Sequence, residues 1–355
     1  MNVAIDARLL TTENTGDSSY WKGLVGGLAE TDTDHRFLLY SNADRPDFIP
    51  DDKRFVWQKV EGGGRFWSLW SFPKAAQRDE CRVAHGQYSM SPLHRRSVTT
   101  VHDVSFFVEP SWFKPKDRWL LRRSIPGTVK RARRVITVSE TSRKEIEEHI
   151  PAARGKVTVT YNALGKNVMP MDKAEAQRVV KQELGLSYPF LLTVGTRWPR
   201  KNLGLAIESF RLASPHLPHR LVVTGKPGWG ELPVAERVDF PGYVSDAHLS
   251  ALYSAADLFL LPSRHEGFGI PVLEAFACGC PVLCSSGGAL PEVAGEAAQV
   301  EPSWQAKDWA VAIKALLSDS SKLEAMRQRG YKRLARFSWS ETARRTIEVY
   351  EEAAQ

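Results

Sequence analysis

Twelve short apolar runs recur along this chain with amphipathic stretches between them, and that alternation restricts the fold more than any other feature of the sequence. Seven runs come first: Asn2–Leu9, Arg36–Ser41, Phe55–Val60, Arg82–Gln87, Ser97–Val104, Arg134–Glu140 and Lys156–Ala163. A polar break at "GKNVMPMDK" precedes five more: Pro189–Thr196, His219–Lys226, Arg237–Val244, Asp257–Ser263 and Pro281–Ser286. Their centres are continuous apolar runs rather than strict alternations, as expected of parallel strands buried on both faces. Helical periodicity fills the gaps, for example over Asn202–Ala213 and Asp246–Ala255. Strand and helix alternating in this way predict a doubly wound α/β architecture. At 355 residues the chain exceeds what one core covers, so two such domains are expected, joined near Leu164–Asp172. Residues from about Trp304 to Gln355 read as successive helices. Ligands of open parallel sheets gather beyond the carboxyl ends of the strands, so two such domains facing each other would form a cleft.

Composition narrows the function classes. The chain is 43% hydrophobic and 25% charged, as ordinary folded proteins are. The start "MNVAIDARLL" is too short and too charged for a signal peptide, and no run approaches the ~18 apolar residues of a membrane span. The expectation is a cytoplasmic protein. Cys278, Cys280 and Cys284 follow a C-x-C-x3-C spacing that lacks a fourth ligand; with Cys81 they read as buried reduced thiols, and no metal or cofactor is expected. Asp32-x-Asp34 reads as a solvated turn between a helix and an edge strand. The formal charge of +7 favours anionic partners such as nucleotides, phosphates or anionic lipid, while no nucleic-acid motif accompanies it.

One corner concentrates unusual chemistry. In "RHEGFGIPVLEAFACGCPV" Glu266 falls on the turn after the strand Asp257–Ser263, and Glu274 about one turn inside the helix that follows. Pro271 suits that helix's first turn and Gly279 its end. Gly267 and Gly269 allow close approach of backbone amides, and the helix start adds unpaired N–H groups. Amides favour phosphate or sugar oxygens, and carboxylates accept from hydroxyls. A solvated loop glutamate and a capping glutamate would account for the same residues.

The corner resembles the signature of the retaining, nucleotide-sugar-dependent glycosyltransferases of family four, which have the GT-B fold. Further segments of the second half resemble that family in order: "LLTVGTRWPRKNLGLAIESF", "VVTGKPGW", "VDFPGYVSDAHLSALYSAADLFLLPS" and "GGALPEVAGEAA". The resemblance implies an acceptor-binding Rossmann-like domain over residues 1–168 and a nucleotide-sugar-binding one over 169–337. It also implies that a final helix, residues 338–355, crosses back to the first domain. It implies that Glu274 accepts from the ribose hydroxyls, that Glu266 holds hydroxyls of the donor sugar, and that the backbone of Phe268, Gly269 and Ile270 lines that sugar. Tyr243 and Val244 would frame the base, with Lys226 nearby. The leaving diphosphate needs cations, and "TRWPRKN" supplies Arg197, Arg200 and Lys201, with Lys201 the leading candidate. Many relatives carry an arginine where this chain has Thr196, and Arg197 is the nearest substitute.

In the first half, "VHDVSFF" places His102 where relatives hold a histidine beside the reacting sugar, with a core histidine as the lesser alternative. Asp103 would orient it or contact the acceptor. The loop "NTGDSSYWKGL" keeps Gly16 of a diphosphate-facing pair, with Ser18 in place of the second glycine.

The expected activity is transfer of a hexose to a glycan or lipid-linked acceptor. GDP-mannose is the favoured donor, because "GKPGW" and "PRKNL" are most similar to mannosyltransferases of surface polysaccharide and lipopolysaccharide assembly. UDP-glucose, UDP-galactose, UDP-N-acetylglucosamine and dTDP-rhamnose are the alternatives. An epimerase or phosphorylase of this fold is a second class, and an inactive scaffold-like homologue a third. Lys114–Arg134, with nine Lys or Arg among Trp112, Phe113, Trp119, Leu120 and Leu121, reads as a basic helical pair suited to an anionic membrane surface on the inner face of the cell membrane.

Overall fold

The computed structural model describes residues 1–12, 16–88, 93–230, 232–233 and 235–355. The chain forms two compact units, Met1–Ala163 with Ser338–Gln355, and Leu164–Phe337.

The first unit holds strands β1 (Asn2–Asp6), β2 (Arg36–Ser41), β3 (Phe55–Lys59), β4 (Val83–Gln87), β5 (Ser97–Thr100), β6 (Arg134–Thr137) and β7 (Val157–Val159). All pair in parallel, in the order β3-β2-β1-β4-β5-β6-β7. The edge is therefore β3, and the strand after Asp34 is an interior one. Asp32 and Asp34 themselves are exposed.

The second unit holds β8 (Phe190–Val194), β9 (Arg220–Thr224), β10 (Val238–Gly242), β11 (Leu258–Leu261), β12 (Val282–Ser285) and β13 (Gln299–Glu301). These are also parallel, in the order β10-β9-β8-β11-β12-β13. The strand β13 was not expected from the sequence: three residues with a single apolar one carry too little pattern. In both sheets the order reverses beside the first strand, between β1 and β4 and between β8 and β11. Such switch points open crevices for ligands.

The last helix, Trp339–Ala354, packs on the first unit against the helix Gly16–Glu30. Two glycines one helical turn apart make room for it. A Cβ at Gly23 would stand 2.0 Å from the Trp339 ring, and one at Gly27 would stand 2.2 Å from the Trp339 carbonyl oxygen. Arg345 donates to the Val159 carbonyl at 3.0 Å, and the buried Tyr350 hydroxyl meets His85 Nδ1 at 2.7 Å.

The basic segment is a single helix, Pro115–Arg131, with Pro126 inside it, rather than a helical pair. Phe113 and Leu121 pack against the core formed by Phe106, Ile125, Val129 and Ile146. Trp119 stays 63% exposed, with Arg123 over its ring at 5.9 Å. No helix among the described residues is long and apolar enough to cross a membrane. All four cysteines are buried and unbridged, and burial raises their thiol pKa values.

Candidate active site

The turn after β11 is shaped by glycine geometry. Gly269 ends it with φ +110°, a backbone conformation that favours glycine, and a Cβ there would lie 2.8 Å from Leu290 Cδ2 and displace that methyl group. The helix Ile270–Ala277 begins at the next residue, with Pro271 in its first turn. The Phe268 ring is buried edge-on against Phe337, 5.6 Å between centroids, which leaves its backbone to line the turn. From the other side the segment after β12 closes on the same backbone. Cβ atoms at Gly287 and Gly288 would lie 2.3 Å from the carbonyl oxygens of Ser263 and Glu266 respectively, and Ala289 N–H donates to the Glu266 carbonyl at 2.9 Å.

Glu266 is thereby turned into the protein, with 6% of its surface exposed. Lys201 Nζ donates to its Oε1 at 2.7 Å and Arg200 Nη1 to its Oε2 at 3.1 Å. Both cations come from the short turn Pro199–Lys201 after β8. Backbone bonds knit that loop to its neighbours: Gly195 N–H to Thr224 O at 2.9 Å, Arg197 N–H to Lys226 O at 3.2 Å, and Arg264 N–H to Arg200 O at 2.8 Å. Burial by itself would raise the Glu266 pKa. The adjacent Lys201 and Arg200 charges overrule it and hold the carboxyl at about 2.

The other members of the basic turn go elsewhere. Arg197 lies over the Phe240 ring at 5.6 Å, and Thr196 is half-buried beside it. Arg200, not Arg197, is the cation that joins Lys201. Lys226 lies over the Tyr243 ring at 5.1 Å; Tyr243 is 57% exposed just past β10, with Val244 half-buried next to it.

Glu274 sits in the fifth position of its helix. Tyr253, buried on the helix Asp246–Ala255, donates to its Oε2 at 3.0 Å. Burial raises the Glu274 pKa to about 7, against the pull of the Tyr253 hydroxyl and the Lys201 charge.

In the first unit, His102 follows β5 and is 8% exposed. The Tyr20 ring stands edge-on to it at 4.9 Å and the Tyr88 ring is tilted to it at 5.9 Å. Burial lowers its pKa, partly offset by Asp17 and Asp103. Asp103 Oδ1 accepts from Ser105 N–H at 2.9 Å and from its hydroxyl at 2.6 Å, which turns the chain into the short helix Ser105–Val108. Asp17 Oδ1 lies 3.6 Å from His102 Nε2. Gly16 opens the helix Gly16–Glu30, and Ser18 is buried in its first turn; Asn14 and Thr15 of the same loop lie outside the described residues.

Known proteins match both halves. Residues 176–333 match the family "Glycosyl transferases group 1", and residues 16–164 match "Glycosyltransferase Family 4". O-antigen chain mannosyltransferase B of Escherichia coli is 33% identical over 282 residues, covering 76% of this chain and 74% of that protein. The chain belongs to the family-four glycosyltransferases. O-antigen chain mannosyltransferase RfbU of Salmonella typhimurium is 32% identical over 233 residues, covering 63% of this chain and 61% of the other. Among solved structures, sucrose-phosphate synthase from Thermosynechococcus elongatus superposes with a TM-score of 0.75 at 19% identity, over 99% of this chain and 98% of that one. The fold is GT-B.

Three residues of this glycosyltransferase's two groups escaped the sequence reading. Tyr253 reads there as one more apolar-face residue of its helix. Asp17 is visible only as the residue after Gly16. Gly288 is visible only as half of a Gly-Gly pair.

Glu274 gives a pH test. Its carboxyl is raised from 4.5 to about 7, so the folded state holds a proton that the unfolded chain releases. Its contribution is complete below about pH 4.5 and is lost as pH rises through about 7. Glu274→Gln should flatten stability across that window, where the parent declines by up to about 1.4 kcal/mol per pH unit from this group. Urea unfolding at pH 5, 6, 7 and 8 measures it; parallel curves for parent and variant would show that Glu274 is ionised throughout.

Proposed function

We propose that this glycosyltransferase moves mannose, with retention, from GDP-mannose to a glycan or lipid-linked saccharide in surface polysaccharide assembly. The observation that carries the reading is the buried Glu266 carboxylate bracketed by Lys201 and Arg200 at the β8–β11 switch point. Lys201 and Arg200 take the charge that grows on the departing diphosphate. Glu266 then accepts from donor sugar hydroxyls, with the Phe268–Ile270 backbone along the ring. Glu274 accepts from the ribose, and Tyr243 and Val244 frame the base. His102 lies beside the reacting sugar. The bond from the anomeric carbon to the diphosphate oxygen breaks as the acceptor oxygen bonds to that carbon from the same face. The acceptor proton passes to the leaving diphosphate. Residues 1–168 serve the acceptor and 169–337 the donor. Mannose is favoured because two relatives are named O-antigen chain mannosyltransferases.

A panel of GDP-, UDP- and dTDP-sugars, scored for binding and slow hydrolysis with and without chelator, tests the donor. GDP-mannose should be bound best and hydrolysed equally in both conditions. Preference for a UDP- or dTDP-sugar would replace the donor, and binding without turnover of any donor in the presence of acceptor glycans would favour a scaffold.

The helix Pro115–Arg131 supports reversible docking at an anionic membrane surface. Arg118, Trp119, Arg122 and Arg123 line one patch of it. Each basic residue near such a surface contributes about 1 kcal/mol, so the three arginines of the patch are enough for reversible, salt-sensitive binding. Charge reversal at Arg122 and Arg123 should release the protein from anionic liposomes. Equal binding to neutral and anionic liposomes, or to neither, would leave a soluble acceptor as the simpler account.

A further inference from the structure

Tyr253 carries a hydroxyl where phenylalanine would pack equally well. The residue is fully buried on the helix Asp246–Ala255, and its ring stands edge-on to Phe259 of β11 at 5.1 Å. A hydroxyl in such surroundings costs free energy unless it is bonded, and this one donates to Glu274 Oε2 at 3.0 Å. Resting on the ribose role proposed above for Glu274, we infer that Tyr253 is a positioning residue: its hydroxyl holds Glu274 Oε2 from within the protein and so presents Oε1 to the ribose hydroxyls of the donor nucleotide.

Glu274 is half-buried, so part of its side chain is open to a ligand while Tyr253 reaches it from the core. Among the described residues no other hydrogen bond reaches the carboxylate, which leaves Oε1 for an incoming hydroxyl. A glutamate free to turn about its three side-chain bonds must be ordered before it can accept from that hydroxyl. A donor already fixed in the core removes part of the ordering cost. The helix that carries Tyr253 adds register. It is capped by Ser245, whose hydroxyl accepts from His248 N–H at 3.2 Å, and Ser245 directly follows Tyr243 and Val244. One helix thereby connects the segment assigned to the base with the carboxylate assigned to the ribose.

The surrounding charges make the bond count near neutral pH. Burial raises the Glu274 pKa to about 7; the Tyr253 hydroxyl and the Lys201 charge from the turn after β8 pull it down, and Asp246 at the start of Tyr253's helix pushes it up. Burial holds the Tyr253 hydroxyl protonated far above its ordinary range, and it does the same for the neighbouring Cys278 and Cys280 thiols, so Tyr253 stays a donor throughout. An ionised carboxylate accepts more strongly than the neutral acid. Binding through the ribose should therefore strengthen as pH rises through about 7, and loss of the Tyr253 hydroxyl should move that rise to higher pH.

The test uses the full chain and isothermal titration at pH 6, 7, 8 and 9 with GDP and 2′,3′-dideoxy-GDP, or the corresponding UDP or dTDP pair where the sugar panel selects that base. The dideoxy form carries the same diphosphate and so serves as the reference for phosphate titration. At pH 8 the parent should prefer GDP by roughly tenfold or more, and Glu274→Ala should bind the two nearly alike. Tyr253→Phe keeps the ring and its packing on Phe259. It should lose several-fold of the preference at pH 7, hold its dideoxy-GDP affinity within about twofold of the parent, and show its rise in GDP binding at higher pH. A Tyr253→Phe protein with the parental preference and pH profile, or one weakened equally toward both nucleotides, would overturn the positioning role and leave the ribose role of Glu274 standing. A parent that binds the two nucleotides alike would remove that ribose role and the inference with it.

Discussion

On the role proposed for Lys201, Lys201→Ala is expected to lower turnover by a factor on the order of 10²–10³ while nucleotide-sugar affinity falls much less, because diphosphate charge would grow toward the transition state and the cation would count most there. The structure adds a second expected effect. Lys201 and Arg200 jointly neutralise a carboxylate that is almost fully buried. Removing one partner of an isolated buried pair costs ~3–5 kcal/mol. Arg200 remains, so the loss of stability should be smaller but measurable by denaturant unfolding. The pH dependence has a definite sign. Glu266 is lowered from 4.5 to about 2, so its stabilising contribution is present above about pH 4.5 and is lost as pH falls toward about 2. Lys201→Ala should lose more stability at pH 7 than at pH 3. Lys201→Arg, which keeps the charge, should recover much of the stability but less of the rate, since a planar guanidinium cannot occupy the ammonium's place. Normal turnover in Lys201→Ala would assign the leaving-group role elsewhere.

Gly288→Ala tests the other side of the same carboxylate. Gly288 has φ +61°, and its Cβ would meet backbone atoms of Glu266 at 2.3 and 2.8 Å. Backbone cannot swing aside as a side chain can, so the turn must move. Left-handed strain and overpacking each cost about 1–3 kcal/mol. The expected result is a lower unfolding midpoint and a loss of activity of at least tenfold, as the Glu266 carboxylate leaves its place between Lys201 and Arg200. Gly16→Ala is the control: nothing lies within 4 Å of a Cβ there, so its effect on stability should be small. A Gly288→Ala protein with parental activity and stability would show that the turn tolerates displacement.

Much of the architecture was legible because parallel strands covered on both faces must be apolar along their length, and runs such as "LFLL" and "FLLTV" announce themselves. The strand β13 was not, because an edge strand of three half-buried residues has no such requirement. The segment Lys114–Arg134 reads as a helical pair in the sequence, and it contains a proline, which ordinarily breaks a helix interior. In the structure the helix runs through Pro126, with Ile125, Thr128 and Val129 buried beside it.

The two-glutamate turn was legible from the sequence: its glycines, its proline and the strand before it are local features, and local sterics set the backbone there. The partners of those glutamates were not. Arg197 and Arg200 are equivalent in the sequence, three residues apart in an irregular turn. Only the bonds tying the loop after β8 to Lys226 and Arg264 aim one at Phe240 and the other at Glu266. Tyr253 lies 21 residues from Glu274 and finds it because their two helices pack together. Asp17 and His102 are far apart in the first unit's chain and meet only because the helix Gly16–Glu30 packs, through Tyr20, against Thr100 at the end of β5 and against His102. Residue identity determined which groups could do the chemistry. Which of them meet, at what distance and with what charge, was decided by tertiary packing, because burial and pairing depend on neighbours that the linear order does not encode.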